Sequence, residues 1–348
     1  MTNPVDKTIS ESREIAKLYD TDSLNIATLC SHSSLQLFKA AKDEGLETIG
    51  IIRKKDKSIR ESYDIFPHGR PDVFLEIEEY PELLELGPEL YERNAVFIPH
   101  GSSVEYLRIP GSEYHGLELI PVPTYGNRKI IPFEFDRKKQ RQWLEKEAGL
   151  RMPEEIDDPK DIKGPVMLKL KGAPGGRGSV VLTSYEEYEK FMERCGQKND
   201  YDGATMQRFI PGTRYYLQFL AAPFKQYNGQ ELEFFGIDRR DESDADECFK
   251  IGTRCELLEM GCPPTYSVTG NVQAVLRESI LMKDAIPAGK KTLEASHRLV
   301  EGGMRGPFCL ETIVDPESKV YVFEISARIV AGSNALVAGS AYAPYTYG

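Results

Sequence analysis

The chain has 348 residues, 40% of them hydrophobic and 28% charged, a length that predicts two or three domains around a substantial core. Its formal net charge of −11 excludes nucleic-acid binding driven by phosphate neutralisation, while leaving room for a local basic pocket that takes one small phosphate. No apolar run approaches the length that crosses a bilayer and Met1–Ser10 has no apolar signal core, so a cytoplasmic protein without membrane partners is expected.

Thr8-Ile-Ser-Glu11 has capping-box spacing and predicts a helix that runs to Tyr19. Asn25–Leu29 predicts a buried strand, followed by Ser31-His32-Ser33-Ser34 and an amphipathic helix ending near Gly45. Thr48–Ile52 predicts the next strand, and this strand–helix–strand order with short connections is the mark of a parallel sheet. A helix over Pro81–Arg93 leads to another buried strand, Ala95–Ile98, and then the loop Pro99-His100-Gly101-Ser102. Residues 1–124 thus predict an α/β domain with a small doubly wound parallel sheet, whose strands end in the small polar loops where such sheets bind ligands.

Pro121–Arg128 breaks the pattern and reads as a linker. Residues 125–348 predict a second, α+β domain with mostly antiparallel strands. A charged helix over Arg137–Ala148 stops at Gly149, and Val166–Leu170 and Val180–Leu182 are strands flanking a glycine-rich loop. Ser184 and Glu187 form a capping box that opens a helix to about Cys195. Short strands are expected over Thr205–Ile210, Tyr215–Ala221, Leu232–Ile237, Pro307–Val314 and Val320–Ile325, with a solvated acidic loop over Asp241–Glu247. The six cysteines and five histidines are scattered without C-x-x-C or H-x-x-x-H spacing, which predicts reduced thiols and no zinc or histidine metal site.

Two features carry chemistry. The first is Lys169-Leu-Lys-Gly-Ala-Pro-Gly-Gly-Arg-Gly178, a glycine-rich hairpin whose backbone can approach a polyphosphate while Lys169 supplies a cation. It lacks the G-K-[ST] of a Walker loop and the spacing of a dinucleotide turn, and taken alone it is equally a structural turn. The second is Glu311 and Glu324, each among apolar residues on two strands joined by Asp315-Pro-Glu-Ser318. Two carboxylates forced together on a half-buried sheet repel unless a cation lies between them, and magnesium shared with nucleotide phosphates meets that demand. The alternative is a pair pointing to solvent from an edge strand.

The order of Arg137 to Pro153, the Lys169 hairpin, Met206-Gln-Arg-Phe-Ile-Pro-Gly212, Glu311 and Glu324-x-Ser-x-Arg328 resembles an ATP-grasp domain, in which two α+β lobes clamp ATP. The resemblance implies that Lys169 and the hairpin glycines Gly172, Gly175 and Gly176 contact the phosphates. It also implies that Gln207, Phe209 and Glu242 contact the nucleotide, and that Glu311 and Glu324 hold Mg2+ or, alternatively, Mn2+. The usual late pattern is E-x-N-x-R; Ser326 takes the Asn place here, so Asn334 or water is expected to complete the metal shell.

Six further segments are similar to the archaeal formate-dependent synthetases of purine biosynthesis, which formylate 5-aminoimidazole-4-carboxamide ribonucleotide (AICAR). They are Ile26–Leu35, Pro99–Ser102, Tyr125–Arg128, Val268–Asn271, Gly306–Leu310 and Phe323–Arg328, and they span nearly the whole chain in order. The likeness implies formate, AICAR and ATP as small-molecule partners, and a homo-oligomer is expected. By it, His32 and Ser102 contact the ribonucleotide from the first domain and Asn271 from the second, and His32 also orients the amine or takes its proton. Arg128 is the candidate for the 5′-phosphate because a guanidinium matches phosphate geometry. The chain departs from the family pattern at Cys30, Pro174 and Arg208, and at Val330-Ala331, where aspartate-glycine is usual. Two rivals stay open: another ligase of the same fold, and a catalytically silent nucleotide-binding paralogue.

Overall fold

Asn25-Ile-Ala-Thr-Leu29 is apolar on both faces of the chain, and in the structure, a computed structural model describing residues 3–31, 33–169, 179–195, 204–222, 231–242 and 268–346, it forms the inner strand β1 (Asn25–Leu29) of a parallel sheet. Its neighbours are β2 (Glu47–Arg53), β3 (Val73–Ile77) and β4 (Ala95–Phe97), in the order β3-β2-β1-β4. Ala27, Leu29, Ile49, Ile51, Ile52, Leu75 and Phe97 are buried, as expected of parallel strands covered on both faces. The strand order reverses between β1 and β4, which opens a crevice beyond their carboxyl ends.

Helix α1 (Pro4–Leu18) starts earlier than its expected capping box. Asn3 caps it by accepting the Val5 N–H at 2.8 Å, and Pro4 occupies the first turn, where its missing N–H costs nothing. Thr8 lies inside the helix and donates back to the Pro4 carbonyl at 2.9 Å. Helix α2 (Ser34–Asp43) follows β1 directly. Strand β3 has no counterpart among the expected elements. The helix expected over Pro81–Arg93 is two pieces, a 3-10 segment Tyr80–Glu85 and a helix Gly87–Glu92, broken where Pro88 withholds a backbone donor.

Pro121–Arg128 is not a free linker. Phe97 donates its N–H to the Pro123 carbonyl and accepts the Tyr125 N–H, both at 2.9 Å, so this stretch lines the outer edge of β4. A proline is tolerated there because an edge needs few donors.

The second half contains two antiparallel sheets. The smaller has the order β6-β5-β7, built from β5 (Val166–Lys169), β6 (Ser179–Leu182) and β7 (Thr205–Arg208). The larger has the order β10-β9-β8-β11-β12. Its strands are β8 (Thr213–Ala221), β9 (Leu232–Glu242), β10 (Val268–Ala274), β11 (Gly306–Val314) and β12 (Val320–Ser326). Helix Ile286–Leu299 covers it, approaching Phe219 closely because Gly289 has no Cβ; one built there would lie 2.5 Å from the ring. Trp143 is fully buried and donates to the Thr292 carbonyl at 3.0 Å. The helical stretch from Arg137 turns into a π-helix over Gln142–Glu147 and ends at Gly149, whose φ is +62°. Ser184 and Glu187 behave as a cap for the helix Tyr185–Cys195, with the Glu187 N–H donating to Ser184 Oγ at 3.2 Å. Among the described residues no helix is long and apolar enough to cross a membrane.

Candidate active site

Strands β11 and β12 are consecutive and joined by a tight turn at Asp315–Ser318, so their antiparallel register sets Glu311 directly opposite Glu324. The register slips immediately beyond this pair, between Glu311 and Thr312, and such bulges re-aim side chains beside functional sites. Glu311 is 7% exposed and is held by two groups: Arg240 Nη1 lies 3.1 Å from Oε1, and Ser326 Oγ donates to the same oxygen at 3.2 Å. The Arg240 guanidinium stacks 3.7 Å from the Tyr216 ring centroid. Burial works against the charge of Arg240, but the Glu311 carboxylate overrides it and holds the guanidinium above the usual arginine range. Burial, and then the neighbouring charge of Glu311, push the Glu324 carboxyl upward. Two adjacent carboxylates, Glu311 buried and Glu324 half-buried, with one cation already in contact form a site that a second cation would stabilise.

Lys169, the last residue of β5, reaches the same neighbourhood from the smaller sheet. Its Nζ lies 5.1 Å from the ring centroid of Phe323, the residue beside Glu324. Burial drops its ammonium to about 8, against the attraction of Glu324 and Glu311. Lys169, Thr205 and Gln207 from the smaller sheet face Arg137, Met152 and Phe323 across one narrow cleft. Phe209 follows β7, anchored by its N–H to the Pro165 carbonyl at 3.0 Å.

The loops beyond β1 and β4 meet at a serine pair, Ser102 Oγ donating to Ser31 Oγ at 2.9 Å. Behind them His100 is fully buried: Nδ1 accepts the Ser102 N–H at 3.2 Å, which leaves the proton on Nε2, 2.9 Å from the Leu29 carbonyl. His100 also bridges to Ile329, and Gly101 packs against the Arg328 guanidinium. The switch-point crevice therefore opens onto the chain leaving β12.

Asn271 lies on β10 opposite Arg240, in extended rather than left-handed backbone, and donates to Asp238 Oδ2 at 3.0 Å. Asp238 is fully buried and accepts from Gln218 at 2.6 Å through its other oxygen; burial raises its carboxyl. Asn334 sits in the turn Ala331–Leu336 and donates to the Ala331 carbonyl at 3.1 Å.

Arg128, the candidate for the 5′-phosphate, opens the 3-10 turn Arg128–Ile130. It is 6% exposed, with Nη2 donating to Ser12 Oγ at 3.1 Å, to Thr124 Oγ1 at 2.5 Å and to the Val122 carbonyl. Those partners lie on α1 and along the β4 edge, while Nη1 is buried without a hydrogen-bond partner among the described residues, and burial lowers the guanidinium to about 10. Arg208 pairs with Glu154 at 2.8 Å on the surface. Cys30 is buried beneath Gly50, with its thiol pushed up to about 12 by burial. His32, Gly172, Pro174, Gly175 and Gly176 lie outside the described residues, as does the side chain of Glu242. The expected acidic loop falls there too beyond Glu242, and up to that residue the stretch belongs to β9. Three polar residues at the site, buried Asp238 and half-buried Arg240 and Glu134, were not expected from sequence.

Among the described residues no group of three or more His, Cys, Asp and Glu is arranged to hold a metal. A pair of carboxylates still fits magnesium, which keeps several waters and takes its remaining ligands from substrate phosphates.

Two sequence families match the chain: a protein of unknown function, DUF1246, over residues 26–156, and a domain of unknown function, DUF1297, over residues 184–348. The 5-formaminoimidazole-4-carboxamide-1-(beta)-D-ribofuranosyl 5'-monophosphate synthetase 1 of Methanosarcina mazei is 47% identical over 95% of this chain and 89% of its own length. The synthetase of the same name in Thermococcus kodakarensis is 43% identical over 93% of this chain and 91% of its own. Among solved structures, an IMP biosynthesis protein PurP from Thermococcus kodakaraensis superposes with a TM-score of 0.65 at 26% identity, covering 89% of this chain and 87% of that one. The ADP complex of N5-carboxyaminoimidazole ribonucleotide synthetase shares the fold, with a TM-score of 0.60 at 14% identity over 88% of this chain and 70% of that one.

Proposed function

The chain belongs to the family of 5-formaminoimidazole-4-carboxamide ribonucleotide synthetases, and from that premise we propose that it joins formate to the 5-amino group of AICAR at the expense of ATP. It is a ligase of the ATP-grasp fold that forms a carbon–nitrogen bond in IMP biosynthesis. The formate oxygen attacks the γ-phosphorus, and the bond from that phosphorus to the bridging oxygen breaks to release ADP. The AICAR amine then attacks the carbon of the resulting formyl phosphate; the C–O bond breaks, phosphate leaves, and the nitrogen gives up one proton.

The observation that carries this reading is the Glu311–Glu324 pair set opposite in register, with Lys169 of the smaller sheet over the neighbouring Phe323 ring and attracted by both carboxylates. Glu311 and Glu324 would hold Mg2+ or Mn2+, which supplies charge neutralisation on the phosphates. Asn334 is the further candidate ligand. Lys169 stabilises charge developing on the transferred phosphoryl group, Gly172, Gly175 and Gly176 offer it backbone donors, and Gln207, Phe209 and Glu242 hold the rest of the nucleotide.

His32, Ser102 and Asn271 are assigned to the ribonucleotide, and His32 to orienting its amine. Support comes from the Ser31–Ser102 pair at the switch point and from the Asp238 carboxylate, which fixes the Asn271 amide so that its oxygen is free to accept. Arg128, whose buried Nη1 has no hydrogen-bond partner among the described residues, is assigned to the 5′-phosphate. Residues 1–124 and 125–348 act as the ribonucleotide-binding and ATP-binding units. No protein nucleophile is invoked; catalysis rests on positioning and electrostatics.

The test is product formation by purified protein given ATP, formate and AICAR, with the formamido product identified by mass and ADP measured alongside. ATP consumption only when both other substrates are present is expected. Tight ATP binding with no turnover on formate or any other carboxylate would refute the assignment.

A further inference from the structure

We propose that Gln36 is a positioning residue that couples occupancy of the ribonucleotide loops to occupancy of the nucleotide site, an inference that rests on the ligase reading above. Gln36 lies on α2, which begins immediately after the loop Ser31–Ser33. It is 8% exposed, and its amide crosses from the parallel sheet's layer to the segment that follows β12. Nε2 donates to the Val330 carbonyl at 3.2 Å, and Oε1 lies 2.8 Å from Ser333 Oγ. The Val330 oxygen can only accept, so the amide has one satisfactory orientation. Ser333 Oγ is also 2.6 Å from the Val330 carbonyl, which closes Val330 and Ser333 into a compact knot around the Gln36 amide.

The other side of this knot touches the larger sheet. Gly332 packs so closely on Asp238 that a Cβ there would fall 2.2 Å from Oδ2. Asp238 in turn holds Asn271 and Gln218. Gln36, the Val330–Ser333 turn, Asp238 and Asn271 therefore form a continuous train of contacts from the helix after the first ribonucleotide loop to the sheet that carries Glu311. A buried amide loses heavily when one of its partners is removed without replacement. A tilt of α2 against the larger sheet would break both Gln36 bonds together, so the engaged amide ties the two sets of loops together, beside the His100–Ile329 bridge. Ligand that orders either side then favours the other, which is reciprocal coupling between two sites.

Calorimetric titration of the full chain gives the affinity for AICAR with and without saturating Mg-ADP, and the ratio of the two measures the coupling. The wild type is expected to bind AICAR at least ~5-fold more tightly when ADP is present. Gln36→Leu should bring the ratio to near one and lower the melting temperature, because the Val330 carbonyl loses a buried donor, while leaving the affinity for each ligand alone close to wild type. Ser333→Ala, which removes a single hydroxyl, should give an intermediate ratio and guards against misfolding of the first variant. A wild-type ratio of one, or a Gln36→Leu protein that retains the full ratio, would overturn the inference. So would a Gln36→Leu protein whose affinities for both ligands alone collapse, because that marks a merely structural role. Failure of the wild type to bind either ligand would instead strike the ligase reading, and this inference with it.

Discussion

Glu134 grips Arg328 across the base of the switch-point crevice. Arg328 Nη2 lies 2.8 Å from Glu134 Oε1, and the other carboxylate oxygen accepts the Ala327 N–H at 2.9 Å. The two side chains are 15% and 9% exposed, so water supplies little of what each needs. Arg328 Nε is buried without a hydrogen-bond partner among the described residues. Glu134 thus fixes one edge of the guanidinium and the loop at Gly101 packs on it, an arrangement that holds Arg328 in place.

Removing Glu134 should expose that dependence. Glu134→Ala leaves a buried guanidinium without its carboxylate, which costs about 3–5 kcal/mol of stability in comparable buried pairs. Glu134→Gln keeps an acceptor for Ala327 and should lose less stability, yet lower kcat because Arg328 is no longer held by charge. Urea unfolding paired with steady-state kinetics separates the two effects. Equal stability of all three proteins would mean that Arg328 finds its counter-charge elsewhere.

Lys169 gives a prediction in pH. Burial holds its ammonium down near pKa 8, below the usual lysine value of 10.5. Below pH 8 the folded protein therefore carries a charged lysine at a cost that the unfolded chain does not bear. That penalty shrinks as pH rises through 8 and is gone above the unfolded value. Nucleotide phosphates favour the charged form, so binding should raise the pKa and draw in a proton between about pH 8 and 10. ADP affinity should weaken across that window, by up to about tenfold per pH unit. Calorimetry in buffers of different ionisation enthalpy should detect proton uptake in the wild type and none in Lys169→Met. Uptake that persists in Lys169→Met would assign the proton to another group.

The contrast between Lys169 and Arg240 shows what the sequence could reveal. Lys169, Glu311 and Glu324 are single polar residues at strand positions among apolar neighbours, so the spacing itself marks them. Strands β1, β2 and β4 are legible for the complementary reason, as short buried runs between polar loops. The strand expected over Leu232–Ile237 instead stops short of Asp238 and Arg240, and Asp241–Glu247 reads as a solvated acidic loop. Only the pairing of β9 with β8 and β10 buries Asp238 and stacks Arg240 on Tyr216, and no local pattern encodes those partners. The partners of Arg128 are hidden for a similar reason. Its chemistry suits a phosphate, but its partners Ser12 and Thr124 come from segments whose adjacency is set by the sheet edge. Strand β3 escapes because exposed Glu76 interrupts it, and the Pro121–Arg128 stretch because its composition signals a turn while its carbonyls extend an edge.

Gly332 offers a sharp test of the ribonucleotide side. A methyl group added there would meet the Asp238 carboxylate at 2.2–2.4 Å, and that carboxylate is fully buried between Gln218 and Asn271. Gly332→Ala should cost about 1–3 kcal/mol of stability through overpacking. It should also weaken AICAR binding by displacing Asn271, while ADP binding changes little because Lys169 and Gln207 lie on the other sheet. Titrating each ligand separately decides the matter; parallel loss of both would place the damage in the fold as a whole.

The opposed glutamates set the last expectation, that turnover stops on chelation and returns with Mg2+. Glu324 is pushed upward by burial and by Glu311, so without a divalent ion its ionisation is disfavoured. Glu311 already has a cation at 3.1 Å in Arg240, and the second carboxylate is the one left to be neutralised. Glu324→Gln should therefore raise the Mg2+ concentration needed for half-maximal activity by at least ~10-fold, the lower end of what weakening a metal's ligand set produces. It should also raise melting temperature in metal-free buffer, because one of two repelling carboxylates is gone. Arg240→Met should act in the opposite sense on stability, leaving Glu311 buried without its partner. Metal titrations of activity and melting curves with chelator measure both. A Glu324→Gln protein that is less stable without metal would show that the pair is not under electrostatic strain and would remove the reason for placing the ion between them.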